Sequence, residues 1–192
     1  MESGDAHDAA SVEAWIVDLV ERGSLRNDLV LFAAAHRAVG ANDATVLREI
    51  DELALALAGA RERRLESAGQ GAAFLVAVRA AWPAPGLALF GEGDHAYAVA
   101  VGAAAAAHRL PLADSAAAYA LAFVANLVSA AVRLGPIGQT DGQRITAALF
   151  PRLIDAAARA AGSTLDDLGG CALRSDIAAM RHETQYSRLF RS

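Results

Sequence analysis

Five histidines, one cysteine and no lysine set the chemistry open to these 192 residues. Without lysine there is no Schiff-base amine and no P-loop cation; all 17 basic side chains are arginine. Cys171 stands alone, which excludes an intrachain disulfide and any multi-cysteine zinc or iron–sulfur site, and points to a reduced, cytoplasmic setting. His7, His36, His95, His108 and His182 fall in no recognised ligand motif, and HExxH is absent. They read as hydrogen-bonded or surface histidines, and no metal site of the chain's own is expected. There is no GxSxG elbow, and Cys171 lacks a basic neighbour. Gly91-Glu92-Gly93-Asp94 reads as a turn before a helix, because its carboxylates repel phosphate and no GK[ST] follows. Asn126 lies among apolar residues, where an unpartnered buried amide costs roughly 1–3 kcal/mol. It reads as a core amide fixing helix register, with the lining of a tunnel or interface as the sharper alternative. The enzyme reading left open is a small helical protein whose pocket gathers scattered polar groups such as His95, Asn126 and Asp141.

Binding chemistry is concentrated at the C-terminus. Wound as a helix, His182, Tyr186, Leu189 and Phe190 share one face, and Arg181, Gln185 and Arg188 share another. Rings and guanidinium groups are the side chains that carry binding hot spots. A segment of about a dozen residues does not hold a helix alone in water. It needs a second surface, either the protein's own core or a partner. From Asp176 onward, Arg181, Arg188 and Arg191 outweigh Asp176 and Glu183, so a basic tail ends a chain of net charge −5. That overall charge argues against nucleic acid, which demands a concentrated basic surface.

The elements that must position these groups read as helices. Alanine fills 49 positions and aromatics only 6%, a composition that favours close-packed helices over sheet. Ser11 is a candidate cap for a helix with Val12, Trp15, Ile16, Leu19 and Val20 on one stripe, stopped by Gly23. A second starts at Asn27 or Asp28, turns Leu31, Phe32, Ala35 and Val39 inward and ends at Gly40. A third follows Asp43, with Val46, Leu47, Ile50, Leu53 and Leu57 on one side. Residues 60–81 read helical, weakened by Gly69 and Gly71, until Trp82-Pro83-Ala84-Pro85-Gly86 breaks the chain. Helices follow near His95–His108 and Asp114–Leu134. Thr140 and Gln143 match a capping box for the next helix, which Pro151 is expected to bend. A short helix near Leu173–Met180 makes an all-α, single-domain bundle of about eight helices. Residues 1–175 form that domain and 176–192 a partner-binding tail. Residues 116–132 carry no formal charge, but alanine, Asn126 and Ser129 mark them as a buried central helix rather than a membrane span. The N-terminus is acidic and polar, unlike a secretory signal or transit peptide.

The ending Asp176-Ile177-Ala178-Ala179-Met180-Arg181-His182-Glu183-Thr184-Gln185-Tyr186-Ser187-Arg188-Leu189-Phe190-Arg191-Ser192 resembles that of the UreF family of urease accessory proteins. A second block, Asn126 to Leu134 running on through Gly138-Gln139-Thr140-Asp141-Gly142-Gln143, is also similar, as are Gly93-Asp94-His95 and Ser11-Val12-Glu13-Ala14-Trp15. The resemblance implies an all-α, commonly dimeric scaffold, not an enzyme. Such proteins bridge UreG, a nickel-carrying GTPase, and the UreD/UreH accessory protein on apo-urease, so that nickel is inserted under the control of GTP hydrolysis. Nickel and GTP would then be handled by the partners, with no cofactor on this chain. The partner-binding residues implied are Arg181, His182, Glu183, Gln185, Tyr186, Arg188, Leu189, Phe190 and Arg191, together with Gln139, Thr140 and Asp141. Family members usually begin with a further Pro-, Gly- and Ser-rich segment that helps build partner-facing surfaces; this chain starts just before Ser11.

Overall fold

Asp8, not Ser11, caps the first helix. In the computed structural model, which describes residues 7–170, helix α1 (Ala9–Glu21) begins with a reciprocal box. Ser11 N–H donates to Asp8 Oδ1 at 2.8 Å, and Asp8 N–H donates to Ser11 Oγ at 3.1 Å. Ser11 is therefore the third helical residue, an arrangement that satisfies two of the helix's unpaired donors. The expected stripe of Val12, Ile16, Leu19 and Val20 is buried, while Trp15 is half-buried.

Helix α2 (Ser24–Gly40) starts three residues before Asn27, directly after Gly23. It is buried on opposite faces and so belongs to two cores. Leu25, Leu29 and Phe32 pack with α1, α6 (Leu112–Leu134) and α7 (Gln139–Ala161). Leu31, Ala35, Ala38 and Val39 pack with α3 (Ala44–Ala56), α4 (Arg61–Ala81) and α5 (Tyr97–Ala107). Asp43 caps α3 as expected, accepting from Thr45 and Val46 N–H at 3.0 Å each. The buried face of α3, however, is Leu47, Ile50 and Asp51; Val46 and Leu57 are 40% and 45% exposed. Leu47 and Ile50 of the expected stripe are thus buried and Leu53 half-buried, and the face is shifted at its edges, where Asp51 takes an inward position and Val46 and Leu57 do not.

Small residues let the helices approach. A Cβ on Gly102 of α5 would overlap the backbone oxygen of Phe32 in α2, and one on Gly71 of α4 would overlap the His95 carbonyl. Gly71, read in the sequence as a weak point, is thus a packing requirement. Gly69 faces open space. Between α4 and α5 the broken stretch forms a 3-10 turn, Pro85–Leu89, held by Arg79 Nη2 donating to the Leu87 and Phe90 carbonyls at 3.1 and 3.0 Å.

Helix α6 is long and apolar enough to cross a membrane by length and composition, but Ala116, Ala120, Val124, Val128 and Ala131 are buried in the first core. Gly135, at φ +90°, ends it. The capping box expected of Thr140 and Gln143 does not form: Gly138 is the cap, and Thr140 already lies inside α7. Helix α7 runs through Pro151 without a break, the proline on its exposed side and Leu149 and Leu153 buried. A last 3-10 turn spans Leu165–Asp167. The described residues thus hold seven α-helices and no strand; the eighth helix, expected at 173–180, lies outside them.

Gly102→Ala is expected to destabilise the fold by about 2 kcal/mol or more through overpacking. Gly69→Ala, in open space within the same class of helix, should stabilise it by roughly 0.5–1 kcal/mol. Urea unfolding of both variants against the parent chain measures the difference.

Candidate functional site

Of the predicted binding residues, Arg181, His182, Glu183, Gln185, Tyr186, Arg188, Leu189, Phe190 and Arg191 lie outside the described residues, as does the domain boundary at 175/176. Gln139, Thr140 and Asp141 form the first turn of α7, and the first two are exposed. Asp141 Oδ1 accepts from Arg144 Nη1 at 3.1 Å, and its charge suits the positive end of the helix dipole. Behind them a Cβ on Gly142 would come within 2.8 Å of Val128 Cγ1. The α6–α7 hairpin therefore closes tightly beneath the turn that carries this amide, hydroxyl and carboxylate.

His95 is spoken for. Its Nδ1 lies 2.7 Å from Asp51 Oδ2, its Nε2 3.2 Å from the Gly91 carbonyl, and Asp51 Oδ1 accepts from Ala96 N–H at 2.8 Å. An ionised carboxylate only accepts, so the imidazole donates in this bond. Burial pushes the Asp51 carboxyl up, against the pull of His95 and the Ala96 amide. Both side chains are buried, and together they tie α3 to the loop that enters α5. Among the described residues no three His, Cys, Asp or Glu side chains gather as a metal-ligand group.

A cleft of about 650 Å³ opens among the described residues where the two cores meet. Asn27 and Asp28 of α2 reach it from one side, Arg63 and Glu66 of α4 from another, with Tyr97 of α5 and Tyr119 of α6 between. Four rings run in a ladder through this region: Phe74–Tyr97, Tyr97–Tyr119 and Tyr119–Phe32, with centroids 5.8, 5.9 and 5.5 Å apart. Asp28 is pushed up to about 6 by burial, with the Arg63 guanidinium partly opposing. Burial holds the Tyr119 hydroxyl well above its ordinary value, and Asp28 and Tyr97 add to the effect. The arrangement offers a carboxylate backed by aromatic faces, a receptor for a cationic group with an apolar stem.

Asn126 is exposed and lines this cleft; it is not the core amide that its apolar neighbours suggested. The three groups of the enzyme reading do not converge. Asn126 borders the cleft, His95 is locked to Asp51, and Asp141 stands on the α6–α7 corner. Sequence reasoning missed Asp28, Asp51, Tyr97 and Tyr119. Two of them had a readable signal: Asp28 and Asp51 each interrupt an apolar helix face, between Leu25 and Leu31 and after Leu47 and Ile50.

A carboxyl whose value rises from 3.8 to about 6 on folding binds its proton more tightly in the folded state. Its contribution is favourable at low pH and is lost as pH rises through that interval. The charged and titratable groups facing Asp28 are Arg63, Glu66, Tyr97 and Tyr119. Asp28→Asn should therefore stabilise the protein at neutral pH by on the order of 1–2 kcal/mol and little at about pH 4. Urea melts across that range give the curve.

The sequence profile of the UreF family matches residues 6–150. Over its whole length the chain is 52% identical to the urease accessory protein UreF of Methylobacterium radiotolerans, covering 85% of that protein. It is 53% identical to that of Xanthobacter autotrophicus and 49% to that of Rhodopseudomonas palustris BisB5, covering 80% of each. With half of its residues shared along the full chain and the profile spanning six of its seven described helices and part of α7, this protein belongs to the UreF family.

Proposed function

We propose that this protein is a urease maturation factor, an adaptor that joins the nickel-carrying GTPase UreG to the UreD/UreH accessory protein on apo-urease for GTP-dependent nickel insertion. It is a binding protein rather than an enzyme, commonly paired with a second copy of itself, and works in the cytoplasm. The observation that carries this reading is the identity of about half the residues over the entire chain with proteins named urease accessory protein UreF. The alignment behind that figure runs past the profile's limit at residue 150 to the end of the chain.

The geometry supports an adaptor in two ways. The Gln139–Asp141 corner sets an exposed amide and hydroxyl and a half-buried carboxylate on a helix turn packed closely on α6 at Gly142, and a preformed surface lowers the entropy cost of association. Helix α2 also fastens the last of the described residues. Arg37 donates to the Ala161 and Ser163 carbonyls at 3.2 and 2.7 Å, Arg26 to the carbonyls of Asp167 and Gly169, and Asn27 Oδ1 accepts from Gly169 N–H at 3.0 Å. In this role Tyr186, Leu189 and Phe190 supply apolar anchors, and Arg181, Arg188 and Arg191 form ion pairs at the interface.

Co-purification with the UreD/UreH protein tests the proposal. Tyr186→Ala or Phe190→Ala should weaken that assembly by about 2 kcal/mol or more while helical content stays constant. Removal of residues 181–192 should abolish both co-purification and urease activation. Unchanged binding and activation after that removal would refute the tail's role.

A further inference from the structure

The seam between the two cores carries polar groups that the fold does not pair. Asp28 of α2, Tyr97 of α5 and Tyr119 of α6 all line the cleft, and each is half-buried. Among the described residues neither the Asp28 carboxyl nor either tyrosine hydroxyl makes a hydrogen bond. No fully buried side-chain oxygen or nitrogen lacks a partner, so these three groups reach the open space of the cleft. Their places are fixed. Tyr97 N–H donates to Ser67 Oγ of α4 at 3.1 Å, and the two tyrosine rings stand 5.9 Å apart, centroid to centroid, at an interplanar angle of 42°. A carboxyl withdrawn from water without a donor is costly to ionise, and Asp28 shows that cost in its raised value of about 6. A cation seated on it offsets the cost.

Charge and size define what fits. The cleft sets Asp28 and Glu66 against Arg63, and Glu66 accepts from Gln70 Nε2 at 3.1 Å. The wall is thus short of one positive charge, which a monocation supplies. A metal ion is a poorer match. No three His, Cys, Asp or Glu side chains gather among the described residues, and the Tyr119 hydroxyl, held well above its ordinary value, stays protonated and is no phenolate ligand. Neutral tyrosine rings instead offer their faces to an organic cation. Trp15, Leu31, Phe123 and Leu127 line the same space and suit an apolar stem. A volume of about 650 Å³ between the helices of a bundle has the size and place of a small-molecule site.

We propose that this cleft is a binding site for a small organic monocation with an apolar stem, an alkylguanidinium or alkylammonium compound, whose charged head lies on the Asp28 carboxylate against the Tyr97 and Tyr119 rings. Because the walls come from both cores, an occupant joins α2 to α4, α5 and α6 and stabilises the seam. The site is separate from the adaptor role and stands on the cleft's own residues.

The test titrates the full chain with n-butylguanidinium, followed by amide NMR. Saturable shifts concentrated on Asn27, Asp28, Ser67, Tyr97 and Tyr119, relative to Val46 and Leu110, are the expected result. N-butylurea, nearly the same shape without the charge, should bind about tenfold more weakly, the loss of one charge-assisted contact. Asp28→Asn, expected to stabilise the fold, should weaken butylguanidinium to the same extent. Asp114→Asn, at the exposed start of α6, should leave the affinity unchanged. Affinity should also fall about tenfold from about pH 7.5 to about pH 5, as the Asp28 carboxyl takes up its proton through about 6. The other charged or titratable groups facing it are Arg63, Glu66, Tyr97 and Tyr119, so the same fall in Asp28→Asn would count against the assignment to Asp28. Equal binding of butylurea would make the cleft a plain apolar pocket and overturn the proposal. So would shifts that never saturate or that ignore Asp28→Asn. Binding of Nα-acetylarginine amide without binding of the free cation would assign the cleft to a protein side chain, and broadening by nickel(II) centred on Asp28 that butylguanidinium does not displace would assign it to a metal; either result overturns the proposal.

Discussion

The architecture depends on how closely α2 and α5 can pass. Gly102 leaves no side chain between the two backbones at Phe32, and the alanines around it, Ala98, Ala103 and Ala105 among them, keep the crossing shallow. Because α5 needs so little room, α2 can be buried on both sides and serve two cores. One holds α1, α6 and α7, the other α3, α4 and α5. A leucine in place of Gly102 would force the helices apart, and the two halves would no longer share a spine. The alanine-rich composition is thus a geometric device. Short side chains surrender little rotamer entropy on burial and allow near-contact between backbones.

A helix shared between two cores has a seam where neither core covers it. The cleft lies on that seam. Asn27 and Asp28 are on the stretch of α2 between the burial faces of Leu25 and Leu29 and of Leu31. The tyrosines of α5 and α6 meet there because each comes from a different half. Polar chemistry in this protein is therefore placed by topology. It gathers where the two packing problems meet, while elsewhere polar groups serve to hold segments in place, as Asp51 and His95 do for the entry to α5.

Much of the fold was legible because it rests on local rules. The seven described helices follow from alanine content, apolar spacing and breakers such as Trp82–Gly86 and Gly135. What failed did so for tertiary reasons. The third helix keeps Leu47 and Ile50 of its expected face inside, but that face gains Asp51 and loses Val46 and Leu57, because Asp51 pairs with His95, which is 44 residues distant and invisible to a periodicity argument. The Thr140 cap was displaced because Gly138 had already turned the chain into α7. Asn126 looked like a core residue because its neighbours are apolar, yet the helix turns it outward to the cleft. The cleft itself is assembled from helices far apart in the chain, so spacing alone could not reveal it. Gln139–Asp141 was suggested by family likeness alone, and the structure places the three in the first turn of α7.

The attachment of Gly169 to Arg26 and Asn27 sets the route by which mechanical load enters the molecule. Tension arriving at Gly169 meets the Arg26 and Asn27 side chains of α2 before it reaches α7. Arg37 then ties the end of α7 itself, at Ala161, to the same helix. A force on the terminus is thus shared by both halves at once, and the bundle resists it as a single body rather than unravelling from its last helix.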